Sequence, residues 1–180
     1  MTELLNITVG DLLDEVTSKF PLNEVLINIP KGERFTYQKV LNRVNQLAKG
    51  FLEIGVQKGD HLALWASNLS EWIMTEFAIA KIGGVLVSVD TNAQLQQLEY
   101  VLKQSDSKYL IMAEGLKGSE YVEMIQELCP EIKDSNPGEL RCPGLPELKG
   151  IVLISDRTNL KRPKGMLAWE EVVEKGKDVS

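Results

Sequence analysis

From His61 onward, short runs with almost no polar residue alternate with amphipathic stretches of ten to thirteen residues, and few folds accept that alternation. The runs are HLALWAS, VLVSVD, KYLIM and KGIVLIS; the stretches between them include EWIMTEFAIAKIG, QLQQLEYVLKQS and SEYVEMIQELC. Strands without polar positions are buried on both faces, and helices between them carry the chain across the sheet in right-handed crossovers. The pattern predicts an α/β domain: a parallel sheet flanked by helices, with strands near 61–66, 85–90, 108–112 and 150–155. VLVSVD is expected to be covered on both faces, and Asn68 to Glu71 follows the spacing of a capping box ahead of a helix. The proline-rich stretch CPEIKDSNPGELRCPGLPELKG reads as an ordered surface loop, and WEEVVEKGKDVS as the start of one more short helix.

The first 58 residues follow another pattern. Thr8 can cap a helix whose apolar positions are Val9, Leu12, Leu13, Val16 and Phe20, and Pro21 ends it. Val25, Ile27 and Ile29 alternate before Pro30-Lys31-Gly32-Glu33, which predicts a β-hairpin returning through Arg34-Phe35-Thr36. Thr36 then caps a second amphipathic helix with Tyr37, Val40, Val44, Leu47 and Phe51 on its apolar face, closed by Gly55 in the C′ position. The expected organisation is a helix, hairpin and helix over 1–58, belonging to an incomplete second subdomain, and an α/β subdomain over 59–180.

Composition limits the function. With 26 acidic against 20 basic residues the net charge is −6, which argues against nonspecific binding to nucleic acid or anionic membranes. No apolar run reaches the roughly 20 residues of a membrane span, and MTELLNITVGDLLDE lacks the basic region of a secretory signal. Cys129 and Cys142, each before a proline, read as two reduced thiols of a cytoplasmic protein.

A doubly wound sheet binds ligands at the carboxyl ends of its strands. Those ends offer Trp65 to Asn68, Ser88 to Asn92, Met112 to Gly115 and Ser155 to Arg157, none with the form of a phosphate cradle. Gly115-Leu116-Lys117-Gly118-Ser119 lacks the spacing of a phosphate loop, and Gly83-Gly84 joins a helix to a strand, the wrong order for a dinucleotide fingerprint. Both read as turns. His61 has no catalytic partner in sequence. Asp90 suits a ribose or metal contact, or the cap of the following turn. Trp65 and Trp72 lie in apolar periodic runs and read as core. The residues alone give an α/β domain without a self-sufficient active site.

The order of segments resembles the adenylate-forming acyl-CoA synthetases, the AMP-binding superfamily. Arg34-Phe35-Thr36-Tyr37 looks like "(L/F)TY.EL". Asn42 to Ala48 with Gly55 to Asp60 resembles "RVNRLA…LGVKKGD", and Asn68 to Trp72 resembles "NSPEW". Ala80 to Val85 with Val87 to Asp90 is similar to "KAGAVVVPLNP", and Leu98 to Ser105 to "ELEYVLNQS". The last stretch and the proline-rich loop look most like the medium- and long-chain fatty acyl-CoA synthetases. The resemblance implies an N-terminal portion of that fold. It implies for the longer protein the ATP- and Mg-dependent conversion of a fatty acid to an acyl-adenylate, then a thioester with CoA.

The family's phosphate loop, "TSGTTGxPKG", is not matched. Pro163-Lys164-Gly165 shares its last letters, but Thr158 and Lys161 stand at the glycine positions and Asn159-Leu160 at the threonine pair. The segment is read instead as the loop after the fourth strand. No catalytic, cofactor-binding or metal residue is transferred, and the chain by itself is expected to have no turnover. The alternatives are a stand-alone binding module, self-associating through a bare apolar face that includes Tyr37, Val40, Val44 and Phe51, and an unrelated nucleotide-binding α/β domain.

Overall fold

The computed structural model describes residues 6–116, 119–156 and 161–177. Helix α1 (Val9–Lys19) begins in a reciprocal cap: Thr8 Oγ1 accepts from Asp11 N–H at 3.0 Å, and Thr8 N–H donates to the Asp11 carboxylate at 3.3 Å. Strands β1 (Glu24–Asn28) and β2 (Glu33–Thr36) form an antiparallel hairpin with a register shift between Glu24 and Leu26. Leu26 and Phe35 reach inward, whereas Val25, Ile27 and Ile29 are exposed. Helix α2 (Tyr37–Glu53) starts where Thr36 Oγ1 accepts from Lys39 N–H at 3.3 Å, and Gly55 follows it at φ +95°, a conformation without strain only for glycine.

The main sheet contains β3 (His61–Trp65), β4 (Val85–Ser88), β5 (Tyr109–Ala113), and then β6 (Gly115–Leu116) and β7 (Ser119–Glu120) branch off as a two-residue antiparallel ribbon. Strands β8 (Gly150–Ile154) and β9 (Met166–Ala168) complete it. The order is β4-β3-β5-β8-β9, all parallel. Helices α3 (Ser70–Lys81), α4 (Leu95–Gln104), α5 (Tyr121–Leu128) and α6 (Trp169–Lys175) fill the crossovers and close the chain.

The two-residue period of the strands sorts the core into two layers. Leu62, Leu64, Ile111, Val152 and Ile154 face α2, α3 and α6; Ala63, Trp65, Leu110, Met112, Ile151 and Leu153 face α4, α5 and the proline-rich segment. Central strands β5 and β8 are buried at every position, as their composition requires. Val40, Val44 and Phe51 of α2 are buried against the first layer, so the bare face expected there does not exist; only Tyr37 remains half-buried. No helix among the described residues is long and apolar enough to cross a membrane.

Backbones, not side chains, meet where α2 crosses α6. A Cβ placed on Gly50 would lie 1.9 Å from Val172 O, and one on Gly176 would lie 1.8 Å from Gln46 O. Trp169 completes the joint: its Nε1–H donates to buried Thr75 Oγ1 at 3.0 Å, and the Arg43 guanidinium sits 5.4 Å above its ring.

Three local expectations fail. Strand β4 is an edge strand with only β3 beside it, so Val85 is exposed rather than covered on both faces. Asn68 does not cap α3; Leu69 occupies the cap position without a side-chain bond, and Asn68 lies one residue too early and exposed. The proline-rich segment is not a surface loop: Ile132, Leu140, Cys142, Leu145 and Leu148 are buried in the second layer, and Pro130–Lys133 forms a 3-10 turn.

Candidate functional site

Chain connections leave β3 and β5 in opposite directions, β3 toward β4 and β5 toward β8. The carboxyl ends of these two strands therefore flank the place where a doubly wound sheet opens a crevice. One side of that crevice is filled. Trp65 stacks on Tyr121 with centroids 3.6 Å apart and planes 14° apart. Trp65 Nε1–H donates to Asp90 O at 3.0 Å, and Tyr121 O–H donates to Thr91 O at 2.5 Å. Burial, then the nearby Asp90 charge, pushes the Tyr121 phenol above its ordinary pKa, which keeps that donor protonated. Asp90 accepts from Asn92 N–H at 2.8 Å through Oδ1. It caps its own turn.

On the other side the hairpin reaches over the strand ends. Asn28 Nδ2 donates to the buried Ser70 hydroxyl at 3.0 Å. Lys31 Nζ lies 3.0 Å from Glu71 Oε1 and 2.7 Å from Asp156 Oδ2, tying the hairpin turn to α3 and to the exit of β8. Burial opposes the Lys31 ammonium, but the bonds to Asp156 and Glu71 outweigh it and raise the pKa. Glu71 Oε2 is buried without a hydrogen-bond partner among the described residues. Ser155 Oγ donates to the Glu114 carboxylate. Glu71, Asp90, Glu114 and Asp156 thus surround these strand ends with Lys31 between two of them. Among the described residues that edge gathers four acids around one bridged ammonium, a setting that does not favour triphosphate oxygens.

Other sequence-selected residues lie at the opposite edge. His61 opens β3, and its Nδ1 is 2.5 Å from Ser105 O, a structural contact. Pro163-Lys164-Gly165 leads into β9, which runs parallel to β8, so the segment sits at the amino edge. Gly165 N–H is spent on Ile132 O at 2.9 Å, and a Cβ there would lie 2.8 Å from that same oxygen. Its glycine serves close packing, not anion binding; Thr158, Asn159 and Leu160 lie outside the described residues. Gly83-Gly84 is a turn, with Gly83 N–H donating to Ala80 O. Gly115 and Leu116 enter the β6–β7 ribbon, while Lys117 and Gly118 lie outside the described residues. Trp72 is half-buried against the first core layer. The bridge from Lys31 to Glu71 and Asp156 escaped the sequence reading, since partners 40 and 125 positions away leave no local spacing.

The family of AMP-binding enzymes matches residues 13–176. This chain belongs to that family. It is similar to YngI of Bacillus subtilis (strain 168), named as an acyl-CoA synthetase, at 39% identity over 95% of this chain and 30% of the relative. The medium-chain acyl-CoA ligase ACSF2, mitochondrial, of Rattus norvegicus is 33% identical over 97% of this chain and 28% of its own length. The N-terminal domain of FACL13 from Mycobacterium tuberculosis shares the fold at a TM-score of 0.68 and 18% identity, over 96% of this chain and 36% of that one. The chain spans less than a third of the curated relatives it matches.

Proposed function

We propose that the chain is the amino-terminal portion of an AMP-forming acyl-CoA synthetase. The longer protein would activate a fatty acid with ATP and Mg to an acyl-adenylate and pass the acyl group to CoA. Within it, this stretch is scaffold: it sets strand ends beside the reaction and holds no triphosphate itself. The observation that carries this reading is the placement of Gly165, whose N–H is committed to Ile132 O at the sheet edge opposite the strand ends. A triphosphate does not suit the described strand ends, which offer the carboxylates of Glu71, Asp90, Glu114 and Asp156 and the already bridged Lys31. None of the described residues is assigned a catalytic role. The medium-chain naming of the rat relative supports a fatty acid as substrate, and a cytoplasmic location rests on the two free buried thiols.

Pyrophosphate exchange tests the reading. The 180-residue chain with ATP and octanoate gives none, whereas the gene's longer product, where the reading frame continues, gives octanoate-dependent exchange. Exchange by the 180-residue chain alone would overturn the assignment.

A second reading has its own support. Val9, Phe20, Leu22, Val25, Ile27 and Ile29 are exposed on α1, the hairpin and the link between them, beside an apolar groove of about 330 Å³ lined by Leu12, Val16 and Phe77. Such a strip suits contact with a further subdomain of the longer protein, or between copies of the isolated chain. Light scattering that finds a monomer at high concentration counts against self-association.

A further inference from the structure

The described residues gather one set of metal-ligating side chains, at the amino edge and away from the strand ends above. Cys129 follows the last turn of α5, Glu131 lies in the 3-10 turn Pro130–Lys133, and Cys142 lies in a bridge to Leu145. Their two sulfurs and a carboxylate oxygen lie within 4.8 Å of one another. Cys129 and Cys142 are 0% and 3% exposed, whereas Glu131 is exposed, so the sulfurs form the floor of the cluster and the carboxylate its solvent side.

Two thiols and a carboxylate suit a thiophilic divalent cation; calcium and magnesium demand oxygen ligands in greater number. In a tetrahedral site with zinc–sulfur bonds near 2.3 Å, donor atoms stand about 3.5–4 Å apart. The cluster therefore needs a contraction of roughly 1 Å or less, within the reach of side-chain rotation.

We propose that Cys129, Glu131 and Cys142 bind one thiophilic divalent cation of the zinc class, with water from the solvent side as fourth ligand. Two parts of the chain, Cys129 with Glu131 and the later Cys142, are thereby joined. The ion ties the end of α5 and the 3-10 turn to the far half of the proline-rich segment, next to the Ile132 carbonyl that holds Gly165. Its role is structural. Without the ion the Cys142 S–H donates to Leu128 O at 3.7 Å. As its bonds to the two sulfurs form, the cation displaces one proton from each thiol.

The test uses the 180-residue chain, kept reduced by a phosphine, stripped with a chelator and titrated with Co2+ and then Zn2+. One equivalent of Co2+ is expected to give thiolate-to-cobalt charge-transfer absorption with strong tetrahedral ligand-field bands, both removed by Zn2+. Cys142→Ser loses the charge-transfer absorption. Glu131→Gln, at an exposed position, keeps the circular dichroism of the folded chain and weakens binding at least about tenfold. Absence of saturable Co2+ binding, binding without charge-transfer absorption, or binding untouched by both substitutions overturns the proposal. So does a reduced chain that takes up no cation and merely forms a Cys129–Cys142 disulfide in air.

Discussion

Gly50→Ala is the sharpest probe of how this chain holds together. On an isolated helix the change stabilises by about 1 kcal/mol, because alanine is the better helix former. Here the new methyl would stand 1.9 Å from Val172 O, 2.8 Å from Val172 C and 3.0 Å from Val172 Cγ1. Non-bonded carbon is comfortable at about 3.5 Å, so α6 has to retreat by roughly 1.5 Å. Retreat loosens buried Val172 and Val173 and pulls Trp169 Nε1 from Thr75 Oγ1. Overpacking costs about 1–3 kcal/mol and a stranded buried donor about 1–3 more. Net of the propensity gain of about 1 kcal/mol, the loss is about 1–5 kcal/mol, a large share of the ~5–15 kcal/mol typical of a domain. Urea unfolding followed by tryptophan fluorescence reads it: with m of about 2 kcal/mol/M, the midpoint falls by about 0.5–2.5 M. Gly176→Ala, whose methyl meets Gln46 O at the same crossing, costs a similar amount, and the double variant loses less than the sum. An unchanged or higher midpoint for Gly50→Ala would refute the backbone-to-backbone joint.

Other substitutions test separate parts. Lys31→Met leaves the mostly buried Glu71 carboxylate without its cation and lowers stability by about 1–3 kcal/mol; adding Glu71→Gln recovers part of it, and no recovery in a denaturant series would remove the bridge from the account. Tyr109 donates to Ile54 O at 2.5 Å, and burial, then the Asp60 charge, raises its pKa. A group raised on folding stabilises fully below its unfolded pKa, near 10, and the contribution disappears as pH climbs beyond it. Tyr109→Phe should therefore cost about 0.5–1.5 kcal/mol at pH 7 and flatten the alkaline fall in stability; an equally steep fall contradicts the assignment. On the acid side, the Arg162 hydrogen bond, against opposing burial, lowers the Glu171 pKa, so its contribution is present above an unfolded value near 4.3 and vanishes as pH drops. Glu171→Gln should reduce the stability lost between neutral and acid pH, as thermal melts across that range will reveal.

Much of the fold is written in local pattern. The unbroken apolar runs HLALWAS and KGIVLIS, Thr8 and Thr36 as caps, and Gly55 after α2 each act within a few residues, and the structure places each as expected. What pattern conceals depends on partners. The composition of VLVSVD resembles that of β5, yet its place at the sheet edge comes from strand order. The proline-rich segment looks polar overall, but Ile132, Leu140, Leu145 and Leu148 are spaced irregularly and still reach the core. Strand β9 is three residues long, too short for a period to register. At the strand ends, Asp90 was legible as a turn cap because its partner is Asn92. The Lys31 bridge and the cluster of Cys129, Glu131 and Cys142 arise only when distant segments meet.

Isothermal titration of the 180-residue chain with ATP and Mg2+ addresses the central claim directly. The acidic strand ends and the committed Gly165 N–H predict heats of dilution alone, with no saturable binding. A stoichiometric isotherm, lost when Gly165 is replaced, would contradict it.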